Sequence, residues 1–438
     1  MTLIDRHPFG PRLVVEQHRL ANGLEVLLVP DRAAPVVALN TWLRVGSRHE
    51  RPGRTGIAHL FEHLMFNQTK RLAAGEFDRR IEALGADSNA ATWVDWTHFT
   101  TNAPAAALPD VLELEAERMR HLVLEEAPLE AERQVVLNER RQRVDDDVEG
   151  FLAEELYRCA FTVHPYGHPT IGWQADIEAI SVDDARAFYR THYAPNNTTL
   201  VLVGSFAPDE ALAHIERAYG GAPAADLARP APVVEPPQTA ERRACFAKPV
   251  LAGRALFAWK APPQTHDDWI PLLVLNEICV GGPSARLYRQ LVIEREVAST
   301  VQGMLAPFAE PGLWELFVSL ARDTDVSVVE AVLDEAAERL RHEPPSAAEL
   351  AKAQNRLETE HWATLETADG KAQALGHHHT TAGDHRRLFE VAERVERVTP
   401  DDLVRVAAAY LRREALTVVV AEPSGEDEPD DDDEEAAS

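Results

Sequence analysis

The chain has little of what would tie it to an oxidising compartment or to a membrane. Only three cysteines occur in 438 residues: Cys159, Cys245 and Cys279. Their number is odd, they lie far apart, and no Cys-x-x-Cys pair exists, so a disulfide framework is not expected. They read as reduced and mostly buried small apolar residues. No run of about 18 apolar residues is present, so no membrane-spanning helix is expected. The opening stretch MTLIDRHPFGPRLVVEQ carries early charges and no apolar core of a signal peptide. The expected location is therefore cytoplasmic, or periplasmic if a leader has been trimmed.

Basic residues are also short: 44 Lys and Arg against 72 Asp and Glu, a formal net charge of −28. Nine of those acidic groups sit between Glu426 and Glu435 in the tail, so the body is acidic as well. Such a surface repels a phosphate backbone, which argues against a nucleic-acid partner, and attracts basic or amphipathic peptides. The tail itself reads as a disordered, solubilising end. What remains is an ordinary globular balance, 45% hydrophobic and 26% charged, enough for substantial cores in two to four domains.

The chain partly repeats itself. ISVDDARAFYRTHYAPNNTTLVLV (180–203) and VTPDDLVRVAAAYLRREALTVVV (398–420) share one plan. Each has Ser181 or Thr399 as helix cap, acidic residues in the first turn, an amphipathic helix, a tyrosine and a strand of β-formers. An offset of about 218 residues, half the chain, points to duplication of a whole domain. Between the copies, GAPAADLARPAPVVEPPQTAERRAC (221–245) is Ala- and Pro-rich, without periodicity, and reads as a linker. The expected organisation is a first domain over 1–222, a linker over 223–245, a homologous domain over 246–424 and a tail over 425–438.

RLANGLEVLLVPD reads as strand–turn–strand about Asn22-Gly23, and APVVALNTWLRVGS and GRALFAWKAP read as strands. Helices are expected over GIAHLFEHLMF, 108–124, 128–161, DWIPLLVLNEICV, 326–342 and 346–370. Strands and helices mix without strict alternation, which favours α+β: two homologous α/β-roll domains, each a mixed sheet packed by helices.

The chemistry is concentrated in HLFEH, residues 59–63. On a helix His59 and His63 share a face and can address one ion. Glu62 stands beside them, off the ligand axis, where a carboxylate can hold and deprotonate a water whose pKa zinc has lowered to about 7. A third protein ligand is needed, with the fourth position left open. Leu60, Phe61, Leu64 and Met65 make this helix largely buried, and polar groups in such a helix need partners.

The inverted signature His-x-x-Glu-His resembles that of the insulinase/pitrilysin family of zinc metallopeptidases, and of its bacterial and mitochondrial branch built from two-domain chains of this size. The resemblance implies one zinc ion per chain. Its ligands are His59, His63 and a glutamate about 76 residues beyond His63, where Glu139 stands; Glu62 is the general base. Glu132, seven residues before Glu139, matches a supporting carboxylate that orients a ligand. The segment 85–104 resembles the edge strand along which a substrate peptide pairs, with Asn89, Ala90 and Ala91 at that edge. HPYGHPTIGW (164–173) also resembles a family segment, read as a structural turn fixed by Pro and Gly that supports the ligands from behind, with His164 and His168 expected at the surface rather than as ligands. The run His377–His379 cannot put three imidazoles on one helix face and reads as a helix-end cluster with, at most, adventitious metal binding.

One part of the family pattern is missing. Members usually supply an Arg and a Tyr seven residues apart to contact the substrate and hold a developing oxyanion. Following SARLYRQL, those positions hold Val292 and Ser299, and Arg289, Arg295 and Tyr288 are out of register. This departure resembles the two-subunit members. It implies the catalytic chain of a heterodimer, whose homologous partner brings Arg and Tyr and closes a chamber around short or unfolded peptides. Alternatives are a homodimer using another donor, a peptidase that removes a specific leader, and a non-catalytic structural subunit.

Overall fold

The computed structural model describes residues 1–227 and 232–424. The acidic tail read as disordered lies outside these described residues, as do residues 228–231 of the Ala/Pro-rich stretch. The first half contributes β1 (Thr2–Phe9), β2 (Leu13–Arg19), β3 (Glu25–Pro30), β4 (Val36–Leu43), β5 (Asp87–Thr92), β6 (Thr97–Pro104) and β7 (Thr198–Gly204). The second contributes β8 (Arg242–Lys248), β9 (Arg254–Ala261), β10 (Ala298–Leu305), β11 (Gly312–Leu320) and β12 (Leu416–Pro423). They form two sheets, ordered β1-β2-β3-β7-β4-β6-β5 and β10-β11-β9-β12-β8.

Without the β1–β2 hairpin the two orders coincide strand for strand, β3 with β8, β7 with β12, β4 with β9, β6 with β11 and β5 with β10. Each sheet has its parallel pair in the same place, β3–β7 and β8–β12, and the other neighbours run antiparallel. β4 and β9 begin 218 residues apart, as do β7 and β12, which is the offset seen in the sequence. β7, TTLVLVG, is buried along its whole length between β3 and β4, and its β-branched residues suit that two-sided burial.

The first half carries α1 (Ile57–Leu64), α2 (Glu76–Ala83), α3 (Leu108–His121), α4 (Glu126–Arg140), α5 (Val148–Ala160), α6 (Gln174–Ala179), α7 (Val182–His192) and α8 (Pro208–Tyr219). The second carries α9 (Trp269–Val280), α10 (Arg286–Tyr288), α11 (Val326–His342), α12 (Ala347–Thr364), α13 (Ala368–Thr381), α14 (Val391–Glu396) and α15 (Pro400–Tyr410). Capping boxes open α7 at Ser181–Asp184 and α15 at Thr399–Asp402, as the repeated sequence implied.

The two longest helices expected from periodicity are each broken in two. Residues 128–161 become α4 and α5 with a wide turn at Arg141–Asp145 between them, and residues 346–370 become α12 and the start of α13. The cause is the same in both halves. Asp147 accepts from Gly150 N and Thr367 from Gly370 N, so each side chain caps a new helix. A Cβ on Gly150 would lie 1.8 Å from Arg143 O, and one on Gly370 1.9 Å from Thr364 O, so the tight turn admits only glycine. The stretch read as linker is also shorter than expected. β8 starts at Arg242, where half-buried and exposed residues begin to alternate, and this leaves Cys245 exposed rather than buried. Cys279 is buried and Cys159 half-buried.

α5 and α13 cross over. Leu152, Leu156 and Ala160 of α5 pack on Leu256, Ala258, Leu313 and Val419 of the second sheet. Ala372 and Leu375 of α13 pack on Leu27, Ala38, Trp42 and Val201 of the first. Each half thus covers one sheet face of the other, while α1, α3 and α7 pack on the remaining face of the first sheet.

Candidate metal centre

α1 presents its polar groups from a buried footing. Leu60, Phe61, Leu64 and Met65 are all in the core, and Phe61 lies 5.1 Å from Phe188 and 5.2 Å from Tyr193 between ring centres. The helix start is fixed by Glu50, whose carboxylate accepts from Gly56 N at 2.9 Å and Ala58 N at 2.8 Å. This satisfies helix-end amides that have no partner within the helix. Burial raises the Glu50 pKa, opposed by His168, whose Nε2 lies 3.1 Å away. His168 is therefore an anchor of the metal helix and not a surface residue. His164 is also not at the surface. It is 5% exposed, with Nε2 2.6 Å from Glu310 of the second half. The Pro/Gly turn is wedged between the start of α1 and the second half, which buries His164 and half-buries His168.

α1 packs against α4, and the two helices bring His59, His63 and Glu139 together. Each offers a ligand atom, and these atoms lie within 4.8 Å of one another. Glu139 Oε2 stands 3.3 Å from His63 Nε2 and 3.6 Å from His59 Nε2. Ligand atoms bonded to one tetrahedral zinc at about 2.0–2.1 Å stand about 3.3–3.4 Å apart. Two imidazoles and a carboxylate at this spacing fit a zinc ion and leave one position open. Burial pushes His59 down to about 4, so it is the neutral imidazole that a metal needs. The Glu139 carboxylate raises His63 and is itself lowered by it. Burial raises Glu62.

Glu132 Oε2 lies 3.7 Å from His63 Nδ1, on the ring edge away from Glu139, and Glu132 Oε1 accepts from Asn67 at 3.3 Å. Arg143 Nε sits 3.1 Å from Glu139 Oε1. Arg140, buried beside Glu139, donates to both oxygens of Glu154 on α5, at 2.6 and 2.8 Å, and to Gly172 O at 2.9 Å. Sequence reading missed Glu50 and Arg140, which hold the ligand-bearing helices in place, and gave the turn that carries His168 a supporting role without its partner. Of these only Glu50, seven residues before the helix, stood close enough in sequence to be sought as a cap.

β5 is the outer strand of the first sheet and packs against α1. Asn89, Ala90 and Ala91 pair inward with Thr100, Phe99 and His98 of β6, which leaves their outer side without a strand among the described residues. The positions of the missing donors lie elsewhere. Val292 is half-buried against the second core, and Ser299 is exposed on β10 and donates to Ser319 O at 3.3 Å. Arg289 pairs with Glu294 at 2.7 Å and Arg295 with Glu335 at 2.8 Å. The three histidines 377–379 diverge within α13. His377 meets Gln264 at 3.2 Å, His378 meets Ala374 O at 3.0 Å and His379 meets Glu25 at 2.6 Å. Among the described residues only His59, His63 and Glu139 group as metal ligands.

In the second half, α9 and α12 also pack together, but an ion pair between Glu277 and Arg356 joins them instead of metal ligands. One half bears a metal-binding set and the other is its structural copy, the plan of a two-domain metallopeptidase. Residues 25–173 match the family model described as Insulinase (Peptidase family M16), and residues 179–357 that described as Peptidase M16 inactive domain. The chain belongs to this M16 insulinase family. It is 30% identical over 412 residues to the zinc protease PqqE of Helicobacter pylori, covering 93% of each chain. It is 25% identical over 421 residues to the mitochondrial-processing peptidase subunit beta of Blastocladiella emersonii, covering 92% of this chain and 88% of that one. The crystal structure of a protease from Helicobacter pylori superposes with a TM-score of 0.90 at 29% identity, covering 93% of this chain and 99% of that one.

Proposed function

We propose that the chain is a zinc-dependent endopeptidase acting on short or unfolded peptides, and the zinc-bearing subunit of a pair that closes around them. The convergence of His59, His63 and Glu139 beside the open edge of β5, with Glu62 next to His63, carries this reading. His59, His63 and Glu139 would hold one zinc ion, which supplies a Lewis acid toward a water and a peptide carbonyl. Asn89, Ala90 and Ala91 take the peptide main chain as an added strand. Glu62 removes the proton of the attacking water and returns it to the leaving amine. Glu132 steadies His63. Val292 and Ser299 cannot brace an oxyanion, so a homologous partner supplies Arg and Tyr. The words "zinc protease" and "subunit beta" in the relatives' names support both parts of this reading.

The test is cleavage of a quenched peptide by this chain alone and mixed with a homologous chain carrying Arg and Tyr, with zinc measured in each sample. Activity only in the mixture, at about one zinc per copy of this chain, is expected. Glu62→Gln is expected to keep its zinc and lose at least about 100-fold in kcat. Full activity of a zinc-loaded Glu62→Gln preparation would remove Glu62 from the role of base. Full activity of the chain alone would remove the partner.

A further inference from the structure

On the face of the first sheet away from α1, a cavity of about 310 Å³ opens under α12 and α13. Trp42, Trp96, His98, His361, Thr364 and His377 line it. It is a cleft open to solvent, with two indoles in its wall. Resting on the reading of β5 as the peptide-bearing edge, we infer that this cavity is a specificity pocket that takes an aromatic side chain of the bound peptide.

The register makes the connection. Ala91 on β5 pairs with His98 on β6, and His98 with Trp42 on β4, so the three form one row across the sheet. That row lies on the face covered by α13, where Trp42 packs with Leu375. Phe99, one residue on, belongs to the opposite face with α1, and Ala90 packs there with it. A peptide added along β5 sends alternate side chains to the two faces. One set falls on the α1 side, with the metal ligands. The other falls on the side of Ala91, whose row runs through His98 and Trp42 in the wall of the cavity.

The walls suit an aromatic guest. Trp96 stacks on His98 at 4.8 Å and 22°, and Trp42 meets His98 edge-on at 4.3 Å. His98 Nδ1 has no hydrogen-bond partner among the described residues, so ring packing holds this imidazole. Burial pushes His98 down to about 4 and His377 to about 3, so both walls are uncharged at neutral pH. Tilted and edge-on contacts with such rings favour an aromatic side chain over an aliphatic one of equal size.

The experiment compares peptides differing only by Phe or Ala at successive positions. It uses wild type, Thr364→Trp and His361→Trp, each with its zinc measured and with the partner chain present if turnover needs it. At one position wild type is expected to favour Phe at least tenfold in kcat/KM, and both filled-pocket variants are expected to fall below twofold with zinc content unchanged. A binding arm on Glu62→Gln reads the same preference through tryptophan fluorescence, since Trp42 and Trp96 line the cavity. A flat profile in wild type, or an aromatic preference that survives both variants, overturns the pocket. If zinc-loaded wild type neither binds nor cleaves any peptide, the peptidase reading falls, and the pocket with it.

Discussion

His379 of α13 places its Nε2 2.6 Å from the carboxylate of Glu25 on β3, joining residues 354 apart in sequence. Arg19 at 2.5 Å and Arg44 at 2.9 Å complete the cluster. Burial alone would raise the Glu25 carboxyl, but His379, Arg19 and Arg44 hold it well below the usual carboxylate range. This pair ties α13 of the second half to the first sheet beside its apolar contacts with Leu27, Ala38 and Trp42.

His379→Ala should cost about 3 kcal/mol, because removing one partner of a buried pair leaves the other poorly compensated. Glu25 has a depressed folded pKa, so its contribution is present above about pH 4.5 and is lost as the pH falls. Urea melts of variant and wild type at pH 7 measure that loss. A loss below about 1 kcal/mol at pH 7 would mean that the two arginines suffice.

Glu315 gives the opposite pH dependence. It is buried between the halves, accepts the Tyr157 hydroxyl at 2.5 Å, and is pushed up to about 7 by burial. Its stability contribution is complete below about pH 4.5 and declines as the pH rises through 7, by about 3 kcal/mol in total. Glu315→Gln keeps an acceptor for Tyr157 and cannot ionise. Its melting temperature should match wild type near pH 5 and exceed it by several degrees at pH 8. Parallel curves across that range would refute the assignment.

Glu132→Ala should weaken zinc binding about 10- to 100-fold without changing the melting temperature of the zinc-free protein. Competition against a chromophoric chelator measures the first, and a thermal scan the second. Unchanged affinity would reduce Glu132 to a partner of Asn67.

Gly376 lies where α13 crosses β4, and a Cβ there would stand 2.0 Å from Trp42 Nε1. Gly376→Ala should destabilise the protein by about 1–3 kcal/mol through overpacking. A neutral result in a denaturant melt would show that the helix can lift off the sheet at no cost.

Much of this was legible because it is local. His59, Glu62 and His63 sit within five residues, and the repeated Ser181 and Thr399 caps announce the duplication. Glu139 and Glu132 needed the family resemblance, since a glutamate on a charged helix has no mark of its own. The breaks at Asp147-x-x-Gly150 and Thr367-x-x-Gly370 were written in the sequence but hidden inside continuous amphipathic patterns. The crossing of α5 and α13 was not legible. An apolar helix face specifies that it must be covered, not which sheet covers it. His164 and His168 were misplaced for the same reason, because their partners Glu310 and Glu50 lie 146 and 118 residues away.

The crossed helices bear on how such a chain arises. A single half on its own would carry one bare sheet face and one helix with no sheet to rest on. Two copies would cure both defects at once by lending each other that helix, as a self-complementary, swapped pair. Fusing the copies end to end would make the loan permanent and leave each half free to use its helix pair differently, metal ligands on α1 and α4 in one and the Glu277–Arg356 pair on α9 and α12 in the other.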